Sequence, residues 1–384
     1  MTDADSERND EQPEDFAEFL RAFIENQGGI DAEQLAKAAG LPNDPELLKK
    51  LIGQFESAMK ASETQTSGGV NWTLAQSQAK SLASKEAKAV SDTQRKLVAD
   101  AVSIGSLWLD DVTDLAASPS DPKLLNRELW VADALPLFQE LSKPVAERMA
   151  TALTETMQSV IPEELQQMNA QAGAFMRSAG GAMFAMQLGQ ALGKLATETL
   201  SGGDTGIPIL RDRAALVPQN IDEFLSGFDI GADQGYIFLT IRELAYSRLF
   251  RNAKWLRDAV VSQITQFASE IAIDTEHLRE VAESLDLNDP EQLRGAIDSG
   301  AMIAKRTEDQ ERAVSAIENL LALIDGWVEC VTEDATTRLP NASSIAEAII
   351  RRRAEGGPAE VTFGTLVGLQ LRPRKLREAR ELWR

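Results

Sequence analysis

Apolar side chains recur at helical spacing along nearly the whole chain, and strand-like alternation never persists long enough to build a sheet. Phe16, Phe19, Leu20, Phe23 and Ile24 follow the i, i+3, i+4 rhythm of one helix face, which Gly28 and Gly29 end. Asp44 as N-cap and Pro45 in the first turn open a second helix through Leu47, Leu48, Leu51, Phe55 and Met59. A polar loop rich in Ser, Thr and Gly follows at 62–69. From Trp72 the rhythm predicts helix to about Ala117, with a break near Ser91 and Asp92. Helices are expected at 123–141, 143–160 and 163–200, with Pro136, Pro144 and Pro162 setting their boundaries. Further helices are expected at 219–228, 232–252, 255–271, 275–285, 289–299, 305–334, 343–354, 359–368 and 373–383. The class is mainly α, a multi-helix domain.

Two stretches depart from the plain rhythm. Residues 171–200 are rich in Gly and Ala, with Gly189 and Gly193 four apart, which predicts a small helix face for close packing. No Lys-Ser/Thr follows these glycines, so they do not read as a phosphate loop. The run 201–218 holds too many Gly and Pro residues for a continuous helix, and Ile207–Leu210 suggests a short extended piece. Irregular segments of that length inside a helical domain are often functional.

Composition narrows the chemistry. The 384 residues include 39 Lys+Arg and 60 Asp+Glu, a net charge of −21 that disfavours nucleic acid as a partner. A single Cys, Cys330, excludes internal disulfides and Cys-rich zinc modules. A single His, His277, excludes sites built from two imidazoles. His277 lies at an acidic helix start, and Cys330 reads as a buried inert thiol beside Val328 and Val331. No secretory leader and no membrane span are expected, which points to a cytoplasmic protein. Residues 1–18, with eight acids and one base, contain a solvated acidic arm, assigned to 1–12 and followed by a small helical unit at 13–69. Residues 351–384 carry nine Lys/Arg against four Glu, so this basic tail is expected to dock on the acidic body or on a second copy in a homo-oligomer.

One charged residue sits where helical spacing surrounds it with apolar ones. Leu239, Glu243, Tyr246 and Phe250 form one ridge, and Phe238, Ile241, Ala245 and Leu249 another. A carboxylate buried there is either paired, with an arginine such as Arg242 or Arg248, or functional.

Residues 242–246, Arg-Glu-Leu-Ala-Tyr, then Leu249-Phe250 and Lys254-Trp255-Leu256-Arg257, resemble the active-site helix of a bacterial, largely actinobacterial family of zincin-like metallopeptidases. Some members of that family are labelled as associated with deazaflavin-coenzyme biosynthesis. The stretch Leu320–Glu329, the Gly189–Gly193 and Leu200–Gly203 runs, Leu216–Asn220 and the Arg351–Leu369 region are similar as well. The resemblance covers roughly 70–384 and implies a zincin-like helical domain there.

It also implies a zinc ion on two histidines of His-Glu-x-x-His, a Glu activating the metal-bound water, and a further acidic ligand downstream. Carried over, Glu243 is the vestigial general base, Arg242 and Tyr246 stand at the two histidine positions, Asp325 at the downstream acid, and Trp327 at a following His. Arginine stays charged and does not ligate metal, so no metal is expected. The expectation is a non-catalytic member that binds a peptide or a protein partner. The alternative is an active zinc-dependent hydrolase using Glu243 with atypical ligands.

Overall fold

A computed structural model describes residues 70–160, 166–211, 213–270, 306–354 and 375–384. All of them lie in one compact unit, Gln65–Arg384. The expected acidic arm, the helices before residue 70, those at 275–285, 289–299 and 359–368, and His277 lie outside the described residues.

The first predicted break is real. Helix α1, Trp72–Ser84, is capped by the Asn71 side chain, and α2, Asp92–Asp110, by a Ser91–Gln94 capping box. The next region corrects the expectation of two helices divided by prolines. Lys123–Leu124 is a short strand, β1, and a single helix α3, Arg127–Val160, runs through both Pro136 and Pro144. Tertiary burial of Leu135, Leu137, Phe138 and Val145 outweighs the hydrogen bonds those prolines forfeit.

Helix α4, Gln166–Glu198, brings its small face against α1, as its glycines predict. A Cβ on Gly189 would lie 2.7 Å from the Ala75 carbonyl, and one on Gly193 2.7 Å from Leu82 Cβ. The end of α4 is closed by Asn220, whose amide donates to the carbonyls of Ala196 and Thr199 while its oxygen accepts from buried Arg127.

The irregular run after α4 is extended at a different place from the one expected. Ala215–Leu216 is β2, paired in parallel with β1, Lys123 opposite Ala215 and Leu124 opposite Leu216. Ser201 makes an antiparallel bridge to Leu216, and Ile207–Leu210 is bent and unpaired with either strand. Helices α5, Pro218–Leu225, α6, Ala232–Asn252, and α7, Trp255–Ser269, follow. After them come α8, Glu308–Ala335, α9, Ala342–Ala354, and α10, Leu376–Trp383.

α6 is the central element, touching α2, α5, α7, α8 and α9 as well as β2. Its Ile241 packs so closely on α2 that a Cβ on Gly105 would approach it to 2.8 Å. α8 is the second long scaffold and packs on α6, α7 and α10. The described end of the basic tail docks within the chain. Arg380 and Arg384 pair with Glu333 of α8 at 2.6 and 3.1 Å, and Ala379 fits the gap left by Gly326. None of the described helices is long and apolar enough to cross a membrane.

Candidate functional site

Glu243 points from α6 onto the segment that begins at Ser201. Its Oε2 accepts the Gly203 N–H at 2.8 Å and its Oε1 the Ala215 N–H at 2.9 Å. The Ser201 side chain bonds it as well. Glu243 is 2% exposed, and its hydrogen-bond partners are two backbone amides and Ser201 rather than an arginine. Burial pushes the Glu243 carboxyl up to about 7, against the opposing pull of these three donors and the Arg242 charge.

The glycines at 202 and 203 make this clamp fit. A Cβ on Gly203 would stand 2.8 Å from Tyr246 Cγ and 2.9 Å from Glu243 Oε2. Gly203→Ala is therefore expected to lower stability by about 1–3 kcal/mol in denaturant unfolding. Gly227→Ala, whose Cβ would meet nothing nearer than 3.8 Å, serves as the silent control. Equal stability of the two variants would contradict the clamp.

One turn along α6, Arg242, Tyr246 and Asp325 form a chain. An Arg242 Nη donates to the Tyr246 hydroxyl at 3.2 Å, and that hydroxyl donates to Asp325 of α8. The guanidinium also lies over the Tyr246 ring, 5.0 Å from its centroid. Its ionic contact is Asp204 at 3.9 Å, and Asp204 in turn holds Arg352 of α9 at 2.9 Å. All three members of the chain are buried. The sequence thus brings positions 242, 246 and 325 together, with Tyr246 linking Arg242 to Asp325 in place of a direct ion pair. Trp327 does not join them; it is half-buried and packs against the apolar core.

Beside this chain lies a pocket of about 440 Å³ between α6, α8, α9 and α10. Arg242 and Phe238 form its α6 wall, Thr332 and Glu329 its α8 wall, and Ile349 and Arg380 belong to the elements opposite. Glu243 is not among its lining residues. Among the described residues no group of three or more His, Cys, Asp or Glu is arranged to hold a metal ion.

Several contributors escape a motif-based search. Ser201 and Gly203 lie in the Leu200–Gly203 run and Arg352 in the Arg351–Leu369 region, both noted only for family likeness and not for a role. Asp204 and Thr332 carry no signal of their own beyond the irregular run that holds Asp204. Cys330 is buried as expected; its thiol contacts the Arg380 carbonyl and is pushed up by burial.

No curated protein matches the chain. A solved chain from Chloroflexus aurantiacus, described as "a putative hydrolase with a novel fold", superposes with a TM-score of 0.55 at 17% identity, over 81% of this chain and 85% of that one. Similarity at that level establishes shared fold alone. The family model described as zincin-like metallopeptidase matches residues 70–384, and the chain belongs to that family.

Proposed function

We propose that this chain is a pseudoenzyme of its family, one that uses the cleft beside α6 to bind a peptide or protein segment and does not hydrolyse at zinc. The Arg242–Tyr246–Asp325 chain carries this reading. Zinc, the metal the family implies, is held by nitrogen and sulfur donors with carboxylate support. Here the two histidine positions supply a permanent cation and a neutral phenol. The phenol hydroxyl is already spent on Asp325 and accepts from Arg242. That donor set does not fit zinc.

The placement of Glu243 supports the same reading. A general base must reach the water it deprotonates, yet both oxygens of this carboxylate are engaged by the amides of Gly203 and Ala215. Its elevated pKa suits a base near neutrality, which is the observation favouring the hydrolase alternative. Engagement by backbone donors outweighs it. The proposal includes a cytoplasmic location and an actinobacterial source, supported by the lone cysteine and by the family resemblance of 242–257.

Elemental mass spectrometry on tag-free protein offered zinc and then dialysed tests the proposal. The expected result is substoichiometric metal and no cleavage of a mixed peptide library. One equivalent of retained zinc together with peptide cleavage would overturn it.

A further inference from the structure

We propose that the pocket beside Arg242 binds a carboxylate carried on an apolar chain, with the guanidinium taking the carboxylate and the α9 side of the pocket taking the chain. The inference rests on the preceding reading, since a metal at this place would displace Arg242.

The unmet hydrogen-bonding capacity of Arg242 comes first. A guanidinium carries five N–H donors in a rigid fork that matches a carboxylate bidentately. Arg242 is only 5% exposed, and its hydrogen bond goes to a neutral acceptor, the Tyr246 hydroxyl. The Asp204 carboxylate stands at 3.9 Å, beyond hydrogen-bonding reach, and is engaged at 2.9 Å by Arg352 and at 3.0 Å by the Leu200 N–H. A buried guanidinium so short of acceptors is costly unless another arrives, and Arg242 lines the pocket.

A second polar group on the same pocket is also unmet. Thr332 is 2% exposed and its hydroxyl oxygen has no hydrogen-bond partner among the described residues. It lines the pocket from α8, and its hydroxyl can donate to an anion.

The acids around the pocket are offset by cations, Glu329 and Glu333 sharing Arg380 between them. Glu333 is paired with Arg380 and Arg384, Glu329 faces Arg380 at 3.6 Å, and Glu347 holds Arg351 at 2.9 Å. The rest of the lining sets the remainder of the ligand. Phe238, Leu339, Ile349 and Ile350 give an apolar surface, and about 440 Å³ suits a small organic molecule rather than a bare ion.

Two sources carry this chemistry, a free medium-chain acid and the C-terminal residue of a peptide ending in a large apolar side chain. Calorimetric titration of the full chain with octanoate, with N-acetyl-glycyl-leucine and with the C-terminal amide of that peptide tests the site. At least one acid is expected to bind in the millimolar range or tighter. The amide and the Arg242→Gln protein are each expected to bind about tenfold more weakly or worse. Tighter octanoate assigns the site to free acids, and tighter acetyl-dipeptide assigns it to peptide C-termini.

Ala346→Phe, which adds bulk on the α9 wall of the pocket at a residue outside the Arg242–Tyr246–Asp325 chain, is expected to abolish binding while circular dichroism stays unchanged. This variant decides the matter if Arg242→Gln fails to fold. Absence of binding by both acids, or affinity unchanged in the Ala346→Phe protein, overturns the inference. Stoichiometric zinc in the same preparation would instead overturn the pseudoenzyme reading beneath it.

Discussion

Glu243→Ala is expected to lose about 2–5 kcal/mol of folding stability, among the largest single-residue effects in the molecule. The substitution leaves the amides of Gly203 and Ala215 and the Ser201 hydroxyl without their acceptor in a buried place. Each buried donor left unmet costs about 1–3 kcal/mol, partly offset by relief from burying the carboxyl. A urea midpoint within about 1 kcal/mol of wild type, at unchanged m, would show that the clamp is dispensable. Glu243→Gln separates charge from hydrogen bonding. It keeps one acceptor oxygen but turns an NH₂ toward one of the backbone N–H groups, so an intermediate loss is expected.

The same residue gives wild-type stability a pH slope of defined sign. The native Glu243 carboxyl has a pKa of about 7 against an ordinary value of 4.5, so the folded state holds its proton more tightly than the unfolded state. Its contribution is complete below 4.5 and is lost as pH rises through about 7. The full swing is on the order of 3 kcal/mol. Glu243→Gln has no charge to titrate, so its deficit relative to wild type is expected to shrink between about pH 5 and pH 8. A deficit that grows over that interval would place the native pKa below its ordinary value.

Joint exchange of Arg242→His and Tyr246→His is expected to create zinc binding that the wild type, on the pseudoenzyme proposal, is expected to lack. Positions 242 and 246 are one turn apart on α6, and the Tyr246 side chain already reaches the Asp325 carboxylate across the α6–α8 contact. An imidazole is shorter than a phenol by about 2 Å, roughly one zinc–nitrogen bond, which puts the ion near the present hydroxyl position. Removing Arg242 also removes the cation that would repel it. One equivalent of zinc is expected, with a gain of about 2.7 kcal/mol in stability at zinc a hundredfold above its dissociation constant. Asp325→Ala in the same background is expected to erase that gain. Peptide cleavage is not expected to follow, because Glu243 stays on the backbone of the 201–215 segment. A double exchange without any zinc-dependent shift would show that Asp325 does not face the 242–246 turn as described.

How far the chain was legible depends on which interactions decide each element. The predicted 232–252 helix coincides with α6 because its apolar rhythm is unbroken and Gly231 and Ala253 flank it. The Ser91 break was legible because a capping box is local chemistry. The prolines misled for the opposite reason. Pro136 and Pro144 act locally, while Phe138, Leu141 and Val145 are buried against other elements that no window of sequence displays. Pairing of Lys123–Leu124 with Ala215–Leu216 is likewise decided across distant parts of the chain.

The candidate site divides along the same line. Helical spacing marked Glu243 as buried and the 242/246 pair as facing one way. Spacing does not reveal that backbone amides, rather than an arginine, meet the carboxylate. Nor does it place Asp204 between Arg242 and Arg352, since those contacts cross from an irregular segment to two helices. Thr332 was invisible because its significance lies in a bond it does not make.

The way the helices pair has a consequence for folding speed. Helical proteins fold fast when their contacts are local, and in this unit many are not. Gly193 of α4 meets Leu82 of α1, Gly105 of α2 meets Ile241 of α6, and β1 waits for β2 before it has a partner. Each such contact closes a long loop before it gains stability. The described helices therefore combine the secondary structure of a fast folder with pairings distant in sequence, which slow folding, and α1 and α2 leave the ribosome long before the surfaces that bury them.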